Sequence, residues 1–262
     1  MNLSISNIAW ANEYDDEVYK MMKEKGFWGL EIAPTRIFPE NPYDRCDEAR
    51  VWADEIRSNY GFSVPSMQSI WYGRQERLFG TEEEKAALID YTKKAIVFAE
   101  SIGCKNLVFG CPRNRNMPEG DDEQIAIAFF KEIGDYAYEH STVIGMEANP
   151  PIYNTNYIND TANAIELIEK VDSKGFLLNL DVGTMVENNE SVTVLAGKEH
   201  MINHVHISEP GLKVIENRKL HHDLAELLIT YGYEKFISIE VSKQDELDSL
   251  NKMMDYAKEI FG

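Results

Sequence analysis

Eight short apolar runs, each followed by an amphipathic stretch, fill this chain from end to end with no linker between them, and that alternation restricts the fold more than any other feature. The runs are Leu3–Ala9, Trp28–Ala33, Phe62–Ser69, Asn106–Gly110, Val143–Glu147, Phe176–Asp181, Ile202–Ile207 and Phe236–Val241. Their length and β-branched or aromatic content predict buried strands. The helices between them carry their own punctuation. The first spans about Glu13 to Lys25 and stops at Gly26, and the second covers about Asp47 to Asn59. Thr81 with Glu84 forms a capping box for the helix that ends near Gly103, and the next runs from about Asp121 to His140. The last four begin near Asp160, Ser191, Arg218 and Asp245.

Eight β-then-α units in 262 residues predict an α/β fold, a single (β/α)₈ barrel domain over residues 1–262. An open doubly wound sheet would place a glycine-rich phosphate turn after its first strand, and SNIAWANEYDD contains no glycine.

In such a barrel the chemistry comes from the C-terminal ends of the strands. Four consecutive runs end in ionisable residues: Glu147 in VIGMEANPP, Asp181 in LLNLDVGT, His206 in INHVHISEP and Glu240 in FISIEVS. An unpaired carboxylate after an apolar strand is costly to desolvate, so a positive partner is expected. Three carboxylates and one imidazole suit one divalent metal ion, Mn²⁺, Mg²⁺, Co²⁺ or Zn²⁺, with positions left for substrate oxygens. His204, two residues before His206, points to the same side one layer deeper and reads as support for it.

Other polar residues near the strand ends are candidates for substrate contact. Arg113 and Arg115 in the fourth loop could hold a phosphate or carboxylate, or stand solvated at the surface. Trp10, Trp71 and Tyr72 could stack on a sugar ring or pack at the barrel rim. Asn149 and Glu209 are candidate hydroxyl binders, with Gln68 and Glu31 weaker ones. His222, where a loop becomes a helix, reads equally as an acid–base group or as a solvated helix-start residue.

The net charge of −19 argues against affinity for nucleic acid or anionic membrane. No run of about 18 apolar residues could cross a bilayer and no secretory leader opens the sequence, so a soluble, cytoplasmic protein is expected. Cys46, Cys104 and Cys111 lack the number and spacing of a disulfide framework or zinc site. A homo-oligomer stays open, because an interface on barrel helices leaves no sequence mark.

The strand-end series Glu147, Asp181, His206 and Glu240, set in EANPP, LDVGT and HVHISEP, resembles the xylose isomerase-like superfamily of sugar phosphate isomerases and epimerases. SNIAW, EIAP, MQS and LVFGCPRNR extend the resemblance over essentially the whole chain. The resemblance implies a TIM barrel, one divalent metal, and acid–base chemistry beside the carbonyl of a small sugar-type substrate. Glu147 and Glu240, from the fifth and eighth strands, could flank the bound substrate, one removing a proton and the other returning it. Two alternatives fit the same frame: a lyase or dehydratase acting on a sugar or cyclitol keto compound, and a non-catalytic sugar-binding descendant. Three positions depart from the ketose 3-epimerases of that superfamily. Tyr153 stands where they carry a glutamate, Thr184 where they carry a histidine, and Leu212 where they carry an arginine. The endonuclease-like branch needs further zinc-binding histidines, and Gln68 and Gly110 occupy the corresponding strand ends.

Overall fold

The computed structural model describes residues 1–262. Seven of the eight apolar runs form parallel strands: β1 Asn2–Ser6, β2 Gly29–Glu31, β3 Leu107–Phe109, β4 Ile144–Met146, β5 Phe176–Asp181, β6 Ile202–Ile207 and β7 Phe236–Ile239. They lie in the order β2-β1-β7-β6-β5-β4-β3. The remaining run, Phe62–Ser69, is no regular strand, which corrects the sequence reading. Pro65 has no N–H to donate and interrupts the ladder. The segment still fills the eighth position. Leu30 N donates to Ser63 O at 2.9 Å and Gln68 N to Ile32 O at 2.8 Å on one side. Met67 N donates to Asn106 O at 2.9 Å and Val108 N to Met67 O at 2.8 Å on the other. These bonds link β2 to β3 through residues 62–68.

The surrounding helices are α1 Asp15–Lys25, α2 Pro34–Ile37, α3 Cys46–Tyr60, α4 Glu82–Ile102, α5 Gln124–Glu139, α6 Thr161–Val171, α7 Val182–Glu187, α8 Lys219–Tyr231 and α9 Leu247–Phe261. The Thr81–Glu84 capping box is formed, and Gly26 and Gly103 end their helices in the left-handed conformation. The helix expected to open near Ser191 begins instead at Val182. The Asp181 carboxylate accepts from Thr184 N and caps α7 directly at the end of β5. Ser191 leads only a single 3₁₀ turn, Val192–Leu195. No helix is long and apolar enough to cross a membrane. The three cysteines are free.

Alternation along the strands divides two environments. Leu3, Ile5, Val205, Ile207, Ile237 and Ile239 belong to the apolar core. The alternate residues Ser4, Ser6, His204, His206 and Ser238 are buried polar groups inside the ring. The barrel interior is thus hydrogen-bonded through much of its depth. His204 Nε2 meets Ser238 Oγ at 2.8 Å, Gln68 Nε2 donates to Ser6 Oγ at 2.8 Å, and Asn106 Nδ2 donates to both Ser66 Oγ and Asn179 Oδ1 at 3.1 Å. Asn179 Nδ2 passes the network up to Glu147 Oε1 at 2.9 Å.

Removing one member of a satisfied buried network strands its partners. Asn106→Leu is therefore expected to cost about 2 kcal/mol or more in urea unfolding. A change below about 0.5 kcal/mol would show that the polar interior does not hold the ring together.

Candidate active site

Glu147 lies one residue beyond β4, Asp181 ends β5, His206 is the fifth residue of β6, and Glu240 follows β7. The ring of strands brings all four to one end. One ligand atom from each falls within 4.8 Å of the other three. His206 Nδ1 is 2.9 Å from Glu147 Oε1 and 3.2 Å from Glu240 Oε2, and its Nε2 is 2.9 Å from Glu31 Oε2. Glu31 also lies 3.2 Å from His204 Nε2. It acts as a carboxylate behind the histidine and leaves Nδ1 facing the other three acids.

Each carboxylate is held by its neighbours. Glu147 accepts from Asn179 Nδ2 and, at 3.2 Å, from Asn149 Nδ2. A side chain at Gly110 would bring its Cβ to 2.8 Å from Glu147 Oε2, so the glycine leaves room for this carboxylate. Asp181 accepts from Ser208 Oγ, and from Thr184 N and Oγ1 at 2.8 Å. The short aspartate side chain can therefore cap α7 and face the cluster together.

Burial disfavours the charge on Asp181, Glu240 and His206. It pushes Asp181 up to about 6, with Glu147 adding to the effect, and Glu240 up to about 7 against the pull of His206. Burial alone would lower His206, but the charges of Glu31 and Glu240, with hydrogen bonds that the imidazole donates to Glu147 and Glu240, outweigh it and hold the imidazole well above its ordinary value. Glu31, despite burial, is held well below the carboxylate range by His206 and His204. Burial lowers His204, against the opposing pull of Glu31. No lysine or arginine pairs with Glu31, Glu147, Asp181 or Glu240. A divalent cation fits this donor set, which has an excess of buried negative charge and hard oxygen ligands beside one imidazole nitrogen.

The cluster opens into a cavity of about 180 Å³ lined by Glu147, Asp181, Glu240, Gln68, Asn149 and Tyr153, among others. That volume is below the 300–1,000 Å³ range of drug-sized sites and suits a small ligand. A larger cavity, about 390 Å³, lies at the opposite mouth beside Lys105, Asn106 and Lys235, away from the acid cluster.

The candidate substrate residues divide. Gln68 and Asn149 line the cavity. Arg115 is wholly buried, and its guanidinium is engaged by Gly110 O, Glu147 O, Asn149 Oδ1 and Ile158 O at 2.6 to 3.1 Å, so it braces the loop and does not face the cavity. Arg113 is exposed at a neighbouring cleft. Trp10 is buried, donates to Asp15 Oδ1 at 2.7 Å and lies under the Arg36 guanidinium. Glu209 is engaged bidentately by Arg218. His222 is exposed in the first turn of α8, whereas adjacent His221 is buried against Tyr256.

The three positions that depart from the ketose 3-epimerase pattern all bear on the site. Tyr153 and Leu212 line the cavity, and Thr184 ties Asp181 to Ala148 O. Tyr153 Oη also accepts from Gly211 N at 2.8 Å and so fastens the loop that carries Leu212. Sequence reasoning missed Ser208 and Asn179 as supports. Their only local signal is a polar residue at an inward strand position.

A family model described as xylose isomerase-like TIM barrel matches residues 19–260. A search of curated proteins finds no match to this sequence. Among solved structures, a D-psicose 3-epimerase crystallised in the presence of D-fructose superposes with a TM-score of 0.80 at 12% identity over 100% of both chains. A 3-keto-D-glucoside 4-epimerase from E. coli gives 0.78 at 18% over 99% of both. A probable 3-DHS dehydratase from Bacillus anthracis gives 0.67 at 17%, covering 97% of this chain and 98% of that one. At these identities the likeness establishes the fold.

Two measurements probe the cluster. Glu31→Gln should weaken Mn²⁺ binding about 10- to 100-fold, because a carboxylate behind a ligating histidine orients it; unchanged affinity would remove Glu31 from that role. The raised Asp181 and Glu240 values also set a direction with pH. In the ion-free protein they contribute stability that is fully present below the unfolded carboxyl value near pH 4 and is lost as pH climbs through about 6 and 7. Melting of chelator-treated protein should therefore drop between about pH 5 and about pH 8, while the stabilisation by added Mn²⁺ grows over the same interval.

Proposed function

The chain belongs to the xylose isomerase-like TIM barrel family, and from that premise we propose that it is a divalent-metal-dependent isomerase or epimerase of a sugar or sugar derivative. The reaction removes and returns a proton on the carbon beside a carbonyl. One observation carries this reading: Glu147 and Glu240, from strands on different sides of the ring, reach the same cavity and the same His206 nitrogen.

Glu147, Asp181, His206 through Nδ1, and Glu240 would hold the ion. When bound, it supplies positive charge that stabilises the negative charge developing on a carbonyl oxygen as the neighbouring C–H is broken. The side chains do the remainder. Glu147 and Glu240 are the groups that can take a proton from the substrate carbon and return one, from the same face for isomerisation or from opposite faces for epimerisation. Asn149 and Asn179 fix the Glu147 carboxylate and limit its search for the reactive geometry. Gln68 and Asn149 present amides to substrate hydroxyls. Tyr153 and Leu212 cover one side and keep bulk water away from the carboxylates.

The test is proton NMR of keto-sugars in deuterated water with Mn²⁺-restored protein. Deuterium should appear on the carbon next to the carbonyl, with product of unchanged carbon skeleton. Glu147→Gln and Glu240→Gln should each slow that exchange by about 10²- to 10⁴-fold at measured metal content. Exchange that survives both substitutions would remove these carboxylates from proton transfer. A product lighter by one water would assign the chain to the dehydratase alternative.

A further inference from the structure

The cavity at the acid cluster does not end at its own wall. A second cleft of about 190 Å³ adjoins it, and Ser69, Cys111 and Pro112 line both. The far side of this cleft carries Trp71, Tyr72 and Arg113. Trp71 is fixed: it is 3% exposed, its Nε1 donates to Thr92 Oγ1 at 2.8 Å, and it packs edge-on against Phe109 and Phe129. Tyr72 differs from it, with 70% exposure. A large aromatic side chain left this open beside a polar cavity offers a flat face to a ligand.

The backbone at the junction supports a binding role. Ser69 and Cys111 both adopt left-handed φ values, +56° and +43°, and Leu212 across the cavity has +53°. Such conformations are unfavourable for residues with a side chain and gather at ligand sites, where the surroundings enforce them. Charge separates the two halves. The first cavity is lined by three carboxylates and no lysine or arginine. Arg115, five residues after Gly110, is buried, and its two terminal nitrogens are held by carbonyls and Asn149 instead of facing the cavity. A phosphate on the reacting sugar would therefore enter an acidic cavity with no lysine or arginine to receive it. Arg113 stands alone and exposed at the second cleft, without the convergent donors by which anion sites hold phosphate.

We infer that the two cavities form one bipartite site, in which the acid cluster receives an uncharged keto-sugar ring and the Tyr72 cleft receives a second ring joined to it, so that the preferred substrate is a neutral glycoside. The inference rests on the acid cluster being a sugar-carbonyl site. Ser69, Cys111 and Pro112 form the passage in which the linkage between the rings lies.

The experiment is calorimetric binding to Mn²⁺-loaded protein of three probes, phenyl 3-keto-glucoside, free 3-keto-glucose and its 6-phosphate, paired with deuterium exchange for each. The phenyl glycoside should bind roughly tenfold more tightly than the free sugar, and Tyr72→Ala should bring that ratio to within about twofold. Tyr72 is exposed enough for the variant to fold. Equal binding of glycoside and free sugar, or failure of all three to bind, would overturn the inference. So would tightest binding by the 6-phosphate with its advantage removed by Arg113→Ala. Tyr72-dependent glycoside binding without deuterium exchange would uphold the two-part site and overturn the isomerase or epimerase reading. Exchange on the free sugar with no gain from the phenyl ring would do the reverse.

Discussion

Four carboxylates, Glu31, Glu147, Asp181 and Glu240, converge on a single imidazole at the mouth of this barrel, with no lysine or arginine to balance them. Desolvating that much negative charge is unfavourable, and much of the local architecture answers to it. His206 lies between Glu31 on one side and Glu147 and Glu240 on the other, and these carboxylates hold its imidazole well above its ordinary value. Asn179, Asn149, Thr184 and Ser208 each direct a donor at a carboxylate oxygen. A divalent cation would complete the balance that the side chains leave unfinished, so the site's electrostatics support the proposed metal dependence alongside its ligand types.

The polar interior of the ring is the structural counterpart of that imbalance. Parallel barrels are commonly filled by layers of branched apolar side chains. Here Ser4, Ser6, Ser66, Asn106, Asn179, His204 and Ser238 take those positions and connect by hydrogen bonds toward the acid cluster. The apolar core is displaced outward, between the sheet and the helices. The acids therefore stand on a hydrogen-bonded column whose members fix one another's orientation.

Much of this was legible in the sequence because the barrel converts a local signal into a global position. Each apolar run that ends in an acid or histidine delivers that group to the same mouth, so Glu147, Asp181, His206 and Glu240 could be grouped without knowing any long-range contact. What could not be read depends on distance along the chain or on the direction of a flexible side chain. Glu31 meets His206 across 175 residues of sequence. Arg115 follows Gly110 by five residues and carries the look of an anion binder, yet its long side chain turns inward to satisfy loop carbonyls. In LHHDLAELL the helix phase buries His221 and exposes His222, a choice made by the packing of α8 against α9. Pro65 was visible in the third run, but whether the segment would remain a strand depended on its two neighbours.

The buried charge surplus is proposed to be a single-ion site addressed by Nδ1 of His206. Anomalous diffraction from crystals grown with Mn²⁺ tests it most directly. One strong peak per chain is expected, enclosed by Glu147, Asp181, Glu240 and His206 Nδ1, with Glu31 remaining on Nε2. No peak at this mouth, or an ion bound through His206 Nε2 and Glu31, would contradict it.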